Sequence, residues 1–291
     1  PMRIGDTGPL VSYNGEIYNF LSLRKQLNIN SNLSWKGTSD TEVILHAYSQ
    51  WGLNGLRKLE GIFALALWDR TRQRLVLMRD RFGVKPLFYG ESEHGLAFGS
   101  EIKAVIAAGG VDLTLDEQSL SEYFWYGNSF GDRTFYRNVR SLEPGHWLII
   151  ENNNYSLPEP WWRIEEWLSN PISELSPNEA TEHLRDAIDT AVSRQLKADV
   201  PVSIFLSGGI DSSSIAASAA SLQSSSLTSF AAGFDFDQGI NELPKAAMVA
   251  NHLGLDHHEV RISGSNIEKA LIQLAIAHDE PFADAANIPL Y

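Results

Sequence analysis

The chain has 291 residues, 43% of them hydrophobic, which is enough for two domains that each bury a core. Its net charge of −13 argues against a nucleic-acid partner, because such proteins rely on clustered Lys and Arg. It has no cysteine, so disulfides, thiolate nucleophiles and Cys-based metal sites are excluded in this stretch, and its apolar runs are too short to span a membrane. The chain starts at Pro1 without a signal-peptide layout, so we expect a cytoplasmic protein whose start is cut.

The first 150 residues mix short β-rich runs with helical patterns and predict an α+β domain. Strands are predicted at 9–13, 61–68, 74–78 and 95–99, and helices at 19–27, 40–51 and 117–126. Residues 151–160 are polar and contain two prolines, which indicates a turn or crossing rather than an element. We therefore interpret 151–175 as a linker, with the tryptophans around Trp161 packing against both domains.

A helix start at Ser176 opens the second domain, 176–291. Pro177 occupies the first helical position and Glu179 completes a capping box. Beyond this helix the pattern alternates, with strands at 200–206, 227–234 and 258–262 and helices from about 212, at 242–253 and at 266–278. Such alternation predicts a parallel, doubly wound sheet.

The sharpest motif is SGGIDSS, residues 207–213, between an apolar strand and a small-residue helix. Adjacent Gly208 and Gly209 let the backbone approach a ligand, and the helix N-terminus offers N–H groups to phosphate oxygens. The motif lacks the Lys-Ser/Thr ending of a Walker loop. The alternative is an ordinary strand-to-helix turn in which Asp211 is a favourable first-turn acid.

Two segments of the first half have a local and a functional interpretation. Asn14-Gly15 is a strong hairpin-turn signal, but its side-chain amide and backbone N–H could also form an oxyanion hole for an amide under attack. Ser39 and Glu42 form a predicted capping box, which leaves Asp40 as a spare acid at a helix start. An exposed aspartate there could pair with the α-ammonium of glutamine.

These segments together resemble glutamine-hydrolysing asparagine synthetases, from about residue 8 to 291. The segments that resemble the class II glutamine amidotransferase domain, in the same order, are NGEIYN (14–19), GTSDTEV (37–43), EGIFALALWD (60–69), RDRFGVKPLFY (79–89) and SEIK (100–103). SGGIDSS, with FAAGF (230–234) and ANHLG (250–254), is similar to the N-type ATP pyrophosphatases. The resemblance implies an incomplete Ntn hydrolase-like αββα sandwich followed by an incomplete α/β parallel-sheet ATP pyrophosphatase domain.

The resemblance also implies site residues. Asn14, Gly15 and Glu16 would line a glutamine pocket and Asp40 would bind the amino group of glutamine. The residues that would contact ATP are Leu206, Ser207, Gly208, Gly209, Asp211, Ser212 and Ala232. Asp211 would also help to place Mg²⁺, which an acidic second half needs to offset a triphosphate. No catalytic role is assigned to RDRFGVKPLFY, which has the pattern of a turn that supports the core.

The chain departs from the family at both ends. The family's glutaminase uses an N-terminal cysteine, and this chain has none, so we predict no catalytic residue within it. The family's upstream arginine segment and its second glycine-rich, acidic loop are also missing from these 291 residues. We therefore expect a fragment that is inactive alone.

For the intact parent the resemblance implies amidation of aspartate to asparagine through β-aspartyl-AMP, with ammonia from glutamine and with ATP and Mg²⁺. One alternative is a relative that amidates or cyclises another carboxylate, of the β-lactam synthetase or lasso-peptide cyclase type. A second alternative is a non-catalytic remnant that binds ATP or a partner chain. The acceptor substrate and the oligomeric state stay open at this point, with a homodimer among the options.

Overall fold

The computed structural model describes residues 1–30, 33–152, 154–168, 175–223, 227–234, 241–264, 267–281 and 288. The chain divides into two compact units, one comprising 1–171 with 278–283 and the other 172–277 with 284–291. The boundaries predicted at 150 and 176 stay a prediction. Within the described ranges, no helix is long and apolar enough to cross a membrane.

The first unit contains two sheets and six helices among its described residues. Its strands are β1 (Met2–Arg3), β2 (Leu10–Ile17), β3 (Gly61–Asp69), β4 (Arg74–Arg79), β5 (Phe88–Ser92), β6 (Gly95–Gly99), β7 (Val139–Ser141), β8 (His146–Glu151), β9 (Asn154–Tyr155) and β10 (Glu159–Pro160). Its helices are α1 (Phe20–Asn30), α2 (Asp40–Trp51), α3 (Leu53–Leu56), α4 (Ile102–Ala107), α5 (Glu117–Tyr126) and α6 (Glu165–Leu168).

The larger sheet is antiparallel and has the order β1-β2-β3-β4-β8-β10, with β9 paired to β8. Strand β3 is apolar along most of its length because both of its faces are covered. Phe63, Leu65 and Leu67 pack against buried side chains of α1 and α2. Ala64 and Ala66 face the other way and pack, with Leu77 and Leu148 of the same sheet, against Leu87, Leu142 and partly buried residues of the smaller sheet.

The smaller sheet, β6-β5-β7, completes the layers. Its outer face packs Ala97 and Val139 against Ile102 and Val105 of α4. The order of layers is therefore helix, sheet, sheet, helix, which is the predicted αββα sandwich.

The structure corrects the prediction for residues 151–160. Strands β9 and β10 both pair with β8, where the sequence had indicated a turn or crossing. Trp161 follows at once and is 7% exposed, within the same core as Phe63, and its indole N–H donates to the Arg79 carbonyl at 2.9 Å. Short edge strands with proline carry little local signal, so the turn pattern dominated the prediction.

The second unit contains a parallel sheet, as predicted. Its elements are α7 (Pro177–Gln195), β11 (Ser203–Phe205), α8 (Ile210–Leu222), β12 (Thr228–Phe234), α9 (Leu243–Leu253), β13 (Asp256–Ile262) and α10 (Ile267–His278). The three strands lie in chain order and are paired in parallel. Ala216 of α8 and Ala246 and Ala250 of α9 join one core with Leu206 and Ala231 of the sheet.

Helices α8 and α9 thus cover the same face of the sheet, so the described strands form a singly covered sheet. The predicted doubly wound arrangement is not seen among them, since that needs a reversal of strand order. On the other face Phe205 is 76% exposed, Val260 49% and Phe234 40%. In α/β proteins both faces of a parallel sheet are usually covered, whereas these three side chains are exposed on this face among the described residues.

Candidate functional site

Asn14 and Gly15 lie in the middle of β2, opposite Ala64 and Phe63 of β3, which rules out the alternative interpretation of this pair as a hairpin turn. Gly15 has φ +147°, and a Cβ on it would lie 2.1 Å from the Ile62 carbonyl oxygen. Only glycine allows the two strands to approach this closely. The Asn-Gly pair therefore marks a close backbone approach within a sheet.

The amide of Gly15 points to the outer edge of β2. Phe63, its partner on β3, directs both backbone groups to β4, since its N–H donates to Asp80 Oδ2 at 3.1 Å and its carbonyl accepts the Asp80 N–H at 2.8 Å. In an antiparallel ladder, the N–H opposite such a residue points away from the pair. Strand β1 pairs only with Leu10 and Val11 among the described residues, which leaves the edge at Gly15 uncovered by a strand.

Asp40 reaches the same edge from the start of α2. Its Oδ2 accepts the Ile17 N–H at 3.0 Å and the Tyr13 hydroxyl at 2.7 Å. Burial, followed by this hydrogen bond, raises the pKa of Tyr13 above its ordinary value, so the phenol stays a donor. Asp40 is half-buried and tied to β2, and is not the freely exposed acid of the sequence interpretation.

Of the two hydrogen bonds in the capping box predicted at the start of α2, the described residues form only the one accepted by Ser39. Ser39 caps the helix, accepting the Thr41 N–H at 3.0 Å. The buried carboxylate of Glu42 instead accepts the N–H groups of Lys36 and Gly37 at 2.7 and 2.9 Å. The loop before the helix folds back over Glu42, and this contact fixes the position of Asp40 two residues earlier.

Asn14 and Glu16 alternate with Gly15 along the strand, so they face the opposite side of β2 from Tyr13 and Ile17. The Asn14 amide donates to Ser100 Oγ, just after β6, at 3.2 Å. The predicted residues of the first site thus converge on one edge of β2 from its two faces. Ser100, which orients Asn14, and Tyr13, which holds Asp40, are functional candidates that single-residue inspection missed. The alternation of side chains along a strand could have identified Tyr13.

The segment 79–89 supports the fold, as predicted. Asp80 is 1% exposed and accepts four backbone N–H groups, from Phe63, Phe82, Val84 and Lys85. The Arg79 guanidinium donates to the carbonyls of three residues, Gly83, Lys85 and Leu142, and burial lowers its pKa. The hydrogen bonds of Arg79 and Asp80 hold together the turn at residues 82–85, which follows β4.

In the second unit, residues 207–212 form a compact turn at the carboxyl end of β11. Ser207 Oγ and Ser212 Oγ are 2.9 Å apart, and Ser207 Oγ accepts the Gly209 N–H at 3.2 Å. Gly208 has φ +74°, and a Cβ there would lie 2.6 Å from the Lys245 Cβ at the start of α9. Glycine is therefore required at position 208, by backbone conformation and by space alike.

The turn leads into α8 with Gly209 as its N-cap, and no side chain of the described residues caps this helix. The first N–H groups of α8 are thus left for an external acceptor, and Asp211 lies exposed in this first turn. Lys245, which the sequence interpretation did not single out, is exposed beside Gly208 and adds a positive charge. The glycine turn, the start of α8 and Lys245 of α9 thus lie together, and an anion could accept hydrogen bonds at this place.

Leu206 and Ala232 lie near the carboxyl ends of the adjacent strands β11 and β12, where ligands bind in open α/β sheets. Their side chains point to opposite faces. Leu206 is 2% exposed and packs with Ala231 beneath α8 and α9, whereas Ala232 is exposed on the other face. A ligand at this sheet end could meet the backbone of Leu206 but not its side chain.

The adjacent histidines of β13 have separate structural partners. His257 Nδ1 lies 2.9 Å from Ser229 Oγ, and His258 stacks on Phe230 at 5.4 Å. Within the described residues, no group of three His, Cys, Asp or Glu side chains could hold a metal ion. His257 and His258 point to opposite faces of β13, and each contacts a residue of the neighbouring strand β12.

Residues 1–162 match the model of the glutamine amidotransferase domain family. The chain belongs to this family. Residues 183–291 match the asparagine synthase family, so the order of domains is that of the glutamine-hydrolysing asparagine synthetase type.

Curated relatives of this chain carry names of two kinds, asparagine synthetase and amidase. Asparagine synthetase [glutamine-hydrolyzing] 3 of Bacillus subtilis is 40% identical over 74% of this chain and 34% of its own length, and asparagine synthetase [glutamine-hydrolyzing] 1 of the same organism is 32% identical over 100% and 45%. Amidase chyE of Penicillium rubens is 37% identical over 86% of this chain and 38% of its own length. The chain thus spans less than half the length of these relatives.

Proposed function

We propose that the protein to which this chain belongs makes asparagine from aspartate, with glutamine as the nitrogen donor and ATP as the energy source. Glutamine would be hydrolysed at the edge of β2, and ATP would adenylate the β-carboxyl of aspartate at the end of β11. Ammonia would then displace AMP. The single observation that carries the proposal is that one chain matches both families, the glutamine amidotransferase domain over residues 1–162 and asparagine synthase over 183–291.

At the first site, the outward N–H of Gly15 and the amide of Asn14 supply hydrogen-bond donors for the amide oxygen of glutamine. Such donors stabilise the negative charge that develops when an amide is attacked. Asp40 supplies a carboxylate for the ammonium group of glutamine. The hydrogen bond from the Tyr13 hydroxyl holds this carboxylate against β2, the strand that carries Asn14 and Gly15. Glu16 lies on the same strand face as Asn14 and completes the proposed pocket.

At the second site, the backbone of 207–209 and the first turn of α8 would hold the pyrophosphate that leaves when aspartate attacks the α-phosphate. Lys245 beside Gly208 would offset its charge. Mg²⁺ is usually bound by one or two carboxylates together with substrate phosphates, and the single exposed Asp211 next to this turn fits that pattern. When bound, the ion would neutralise charge on the triphosphate.

Calorimetric titration of the 291-residue chain with ATP and Mg²⁺, and with glutamine, tests the two sites separately. We expect Gly208→Ala to abolish ATP binding while glutamine binding persists, and Asp40→Asn to do the reverse. Gly254→Ala, a positive-φ glycine with open space around its Cβ position, is the control for backbone strain in the second unit. If Gly208→Ala and Gly254→Ala weaken ATP binding equally, the assignment of the glycine turn is wrong.

The whole activity is tested on the protein encoded by the complete reading frame around this segment. Sequencing the flanking DNA establishes that frame, and its product is then assayed for asparagine, AMP and diphosphate. AMP release that depends on aspartate supports the proposal. AMP release with another carboxylate, and none with aspartate, would favour the amidating or ring-closing class. The similarity to amidase chyE is the reason for assaying carboxylates other than aspartate.

A further inference from the structure

Two adjacent carboxylates late in the chain bind backbone N–H groups of the first unit. Asp279 Oδ2 accepts the Lys103 N–H at 2.9 Å, and a carboxylate oxygen of Glu280 accepts the Phe135 N–H. Residues 278–283 belong to the first unit, although they lie within the range 183–291 that matches the asparagine synthase family. A segment distant in sequence therefore forms part of the unit that carries the proposed glutamine site.

Asp279 makes the hydrogen bond that a capping residue usually makes. Helix α4 begins at Ile102 with Glu101 as its N-cap, and among the described residues the Glu101 side chain makes no capping bond. Lys103 is the second residue of the helix, and its N–H is one of the groups that an N-cap side chain ordinarily binds. The Asp279 carboxylate, whose side chain is 10% exposed, binds this N–H from 176 residues further along the chain.

The backbone and the burial of this segment both cost free energy. Asp279 has φ +63°, a left-handed conformation that is unfavourable for residues other than glycine, although aspartate tolerates it better than most. Glu280 is half-buried, and burial raises the pKa of its carboxyl, whereas the hydrogen bond from Phe135 lowers it. Such a conformation persists only where the surrounding contacts stabilise it, and the bonds from Lys103 and Phe135 are such contacts.

The start of α4 is connected to the proposed glutamine site through Ser100. This residue lies between β6 and α4, and its Oγ accepts the Asn14 side-chain amide at 3.2 Å. Strand and helix pack closely here, since a Cβ on Gly99 would lie 2.9 Å from the Ala104 Cβ. The position of Ser100 therefore depends on the first turn of α4, and the orientation of the Asn14 amide depends on Ser100.

We propose that Asp279 is a positioning residue for the glutamine site, acting through the first turn of α4 and Ser100 on the side-chain amide of Asn14. This inference rests on the glutamine site proposed above. The hydrogen bond from the Lys103 N–H carries the effect. The ion pair of the Lys103 and Asp279 side chains, 3.2 Å long, adds little because the lysine side chain is 45% exposed.

Hydrogen exchange at α4 tests the first step without any ligand. Asp279→Gly removes the carboxylate and suits the left-handed backbone, so strain does not confound the result. We expect the Lys103 amide, followed by NMR on the whole 291-residue chain, to exchange at least about tenfold faster in this variant, because a hydrogen bond to a charged group is lost. Asp279→Asn makes the same charge change but keeps an acceptor oxygen, and should retain most of the protection.

A second control separates the backbone bond from the ion pair. Lys103→Met keeps the N–H and removes the ammonium group, and should change the exchange rate of this amide by less than about threefold. The side-chain amide signals of Asn14 report the last step. They should shift in Asp279→Gly and in Ser100→Ala, and stay close to their native positions in Asp279→Asn.

Calorimetric titration with glutamine then measures the effect on the site. Asp279→Gly and Ser100→Ala should each weaken glutamine binding by about tenfold, and Asp279→Asn by less than about threefold. Because the two residues act through one path, the double variant Asp279→Gly with Ser100→Ala should bind no more weakly than either single variant.

The outcomes distinguish this inference from the proposed function. If the native chain binds no glutamine, the proposed glutamine site is wrong, and the Asn14 amide signals still decide whether Asp279 positions this side chain. Unchanged Asn14 signals in Asp279→Gly would overturn the inference. Equal weakening of glutamine binding by Asp279→Gly and Asp279→Asn would assign the effect to charge and would also overturn it, as would full additivity in the double variant.

Discussion

At the scale of single residues, Gly15 serves both the sheet and the proposed glutamine site. Its missing Cβ lets β2 approach β3, and its outward N–H is one of the two proposed donors. A substitution at Gly15 would therefore disturb both the pairing of β2 with β3 and the proposed glutamine site.

Gly15→Ala should lower the free energy of unfolding of the first unit by about 3 kcal/mol or more, combining φ strain of about 1–3 kcal/mol with a backbone clash. Gly95→Ala is the matched control, since Gly95 has φ +111° but nothing within 4 Å of its Cβ position. That control should cost about 1–2 kcal/mol from strain alone. Urea unfolding measures both, and equal losses would mean that the strands separate easily at Gly15.

Asp69 links stability to pH. It is buried, and although burial alone raises the pKa of its carboxyl, hydrogen bonds from Arg72, Tyr48 and Thr71 together lower it below its ordinary value. A pKa lower in the folded state stabilises the fold at pH values above the unfolded pKa, and the contribution disappears as pH falls through the folded value.

The stability difference between the native chain and Asp69→Asn should therefore be full at pH 7 and shrink as pH falls below about 4, the unfolded value for aspartate. Urea unfolding at a series of pH values measures this. Asp6→Asn removes the same charge at a fully exposed carboxylate and is the control. A difference for Asp69→Asn that is constant with pH would contradict the assigned cause.

At the scale of elements, the features that depend on neighbouring residues could be predicted from the sequence better than those that depend on long-range packing. The helix predicted at 40–51 and the helix start at Ser176 were confirmed because capping and periodicity lie within a few residues. The place of Asn14-Gly15 in a sheet depends on pairing with β3, far along the chain, whereas β9 and β10 are two-residue strands that pair with the nearby β8. At Asn14-Gly15 the turn signal described backbone freedom and not a turn, whereas at Asn152, between β8 and β9, it marked a real turn.

The candidate sites show the same contrast between contiguous motifs and contacts between distant residues. The glycine turn before α8 was predicted because all of its parts are contiguous. Asp40 was identified, but its bonds to Tyr13 and Ile17 were not, since they join α2 to β2 across more than twenty residues.

The capping box of α7 gives a prediction at this scale. Ser176 Oγ accepts the Glu179 N–H at 3.3 Å, and Glu179 Oε2 accepts the Ser176 N–H at 2.8 Å. Ser176→Ala should lower the stability of the second unit by about 1 kcal/mol. Ser193→Ala, within the same helix, should be neutral or slightly stabilising because alanine has the higher helix propensity. A loss at Ser193 as large as that at Ser176 would contradict the role of the cap.

At the scale of the whole molecule, the two units have separate cores. Buried residues of the first core, such as Phe63 and Tyr48, share no cluster with those of the second, such as Leu206 and Ala246. The second unit also leaves Phe205 exposed on an uncovered sheet face. Less apolar area removed from water means less stabilisation, so the second unit should unfold first.

Differential scanning calorimetry should accordingly resolve two transitions, since two-state behaviour often fails for chains with more than one unit. Ser176→Ala should lower the midpoint of the first transition on heating by about 4 °C and leave the second unchanged. Gly15→Ala should do the opposite, lowering the later transition alone. A single transition that both variants shift equally would mean that the two units unfold as one cooperative body, and the assignment of separate stabilities would then be wrong.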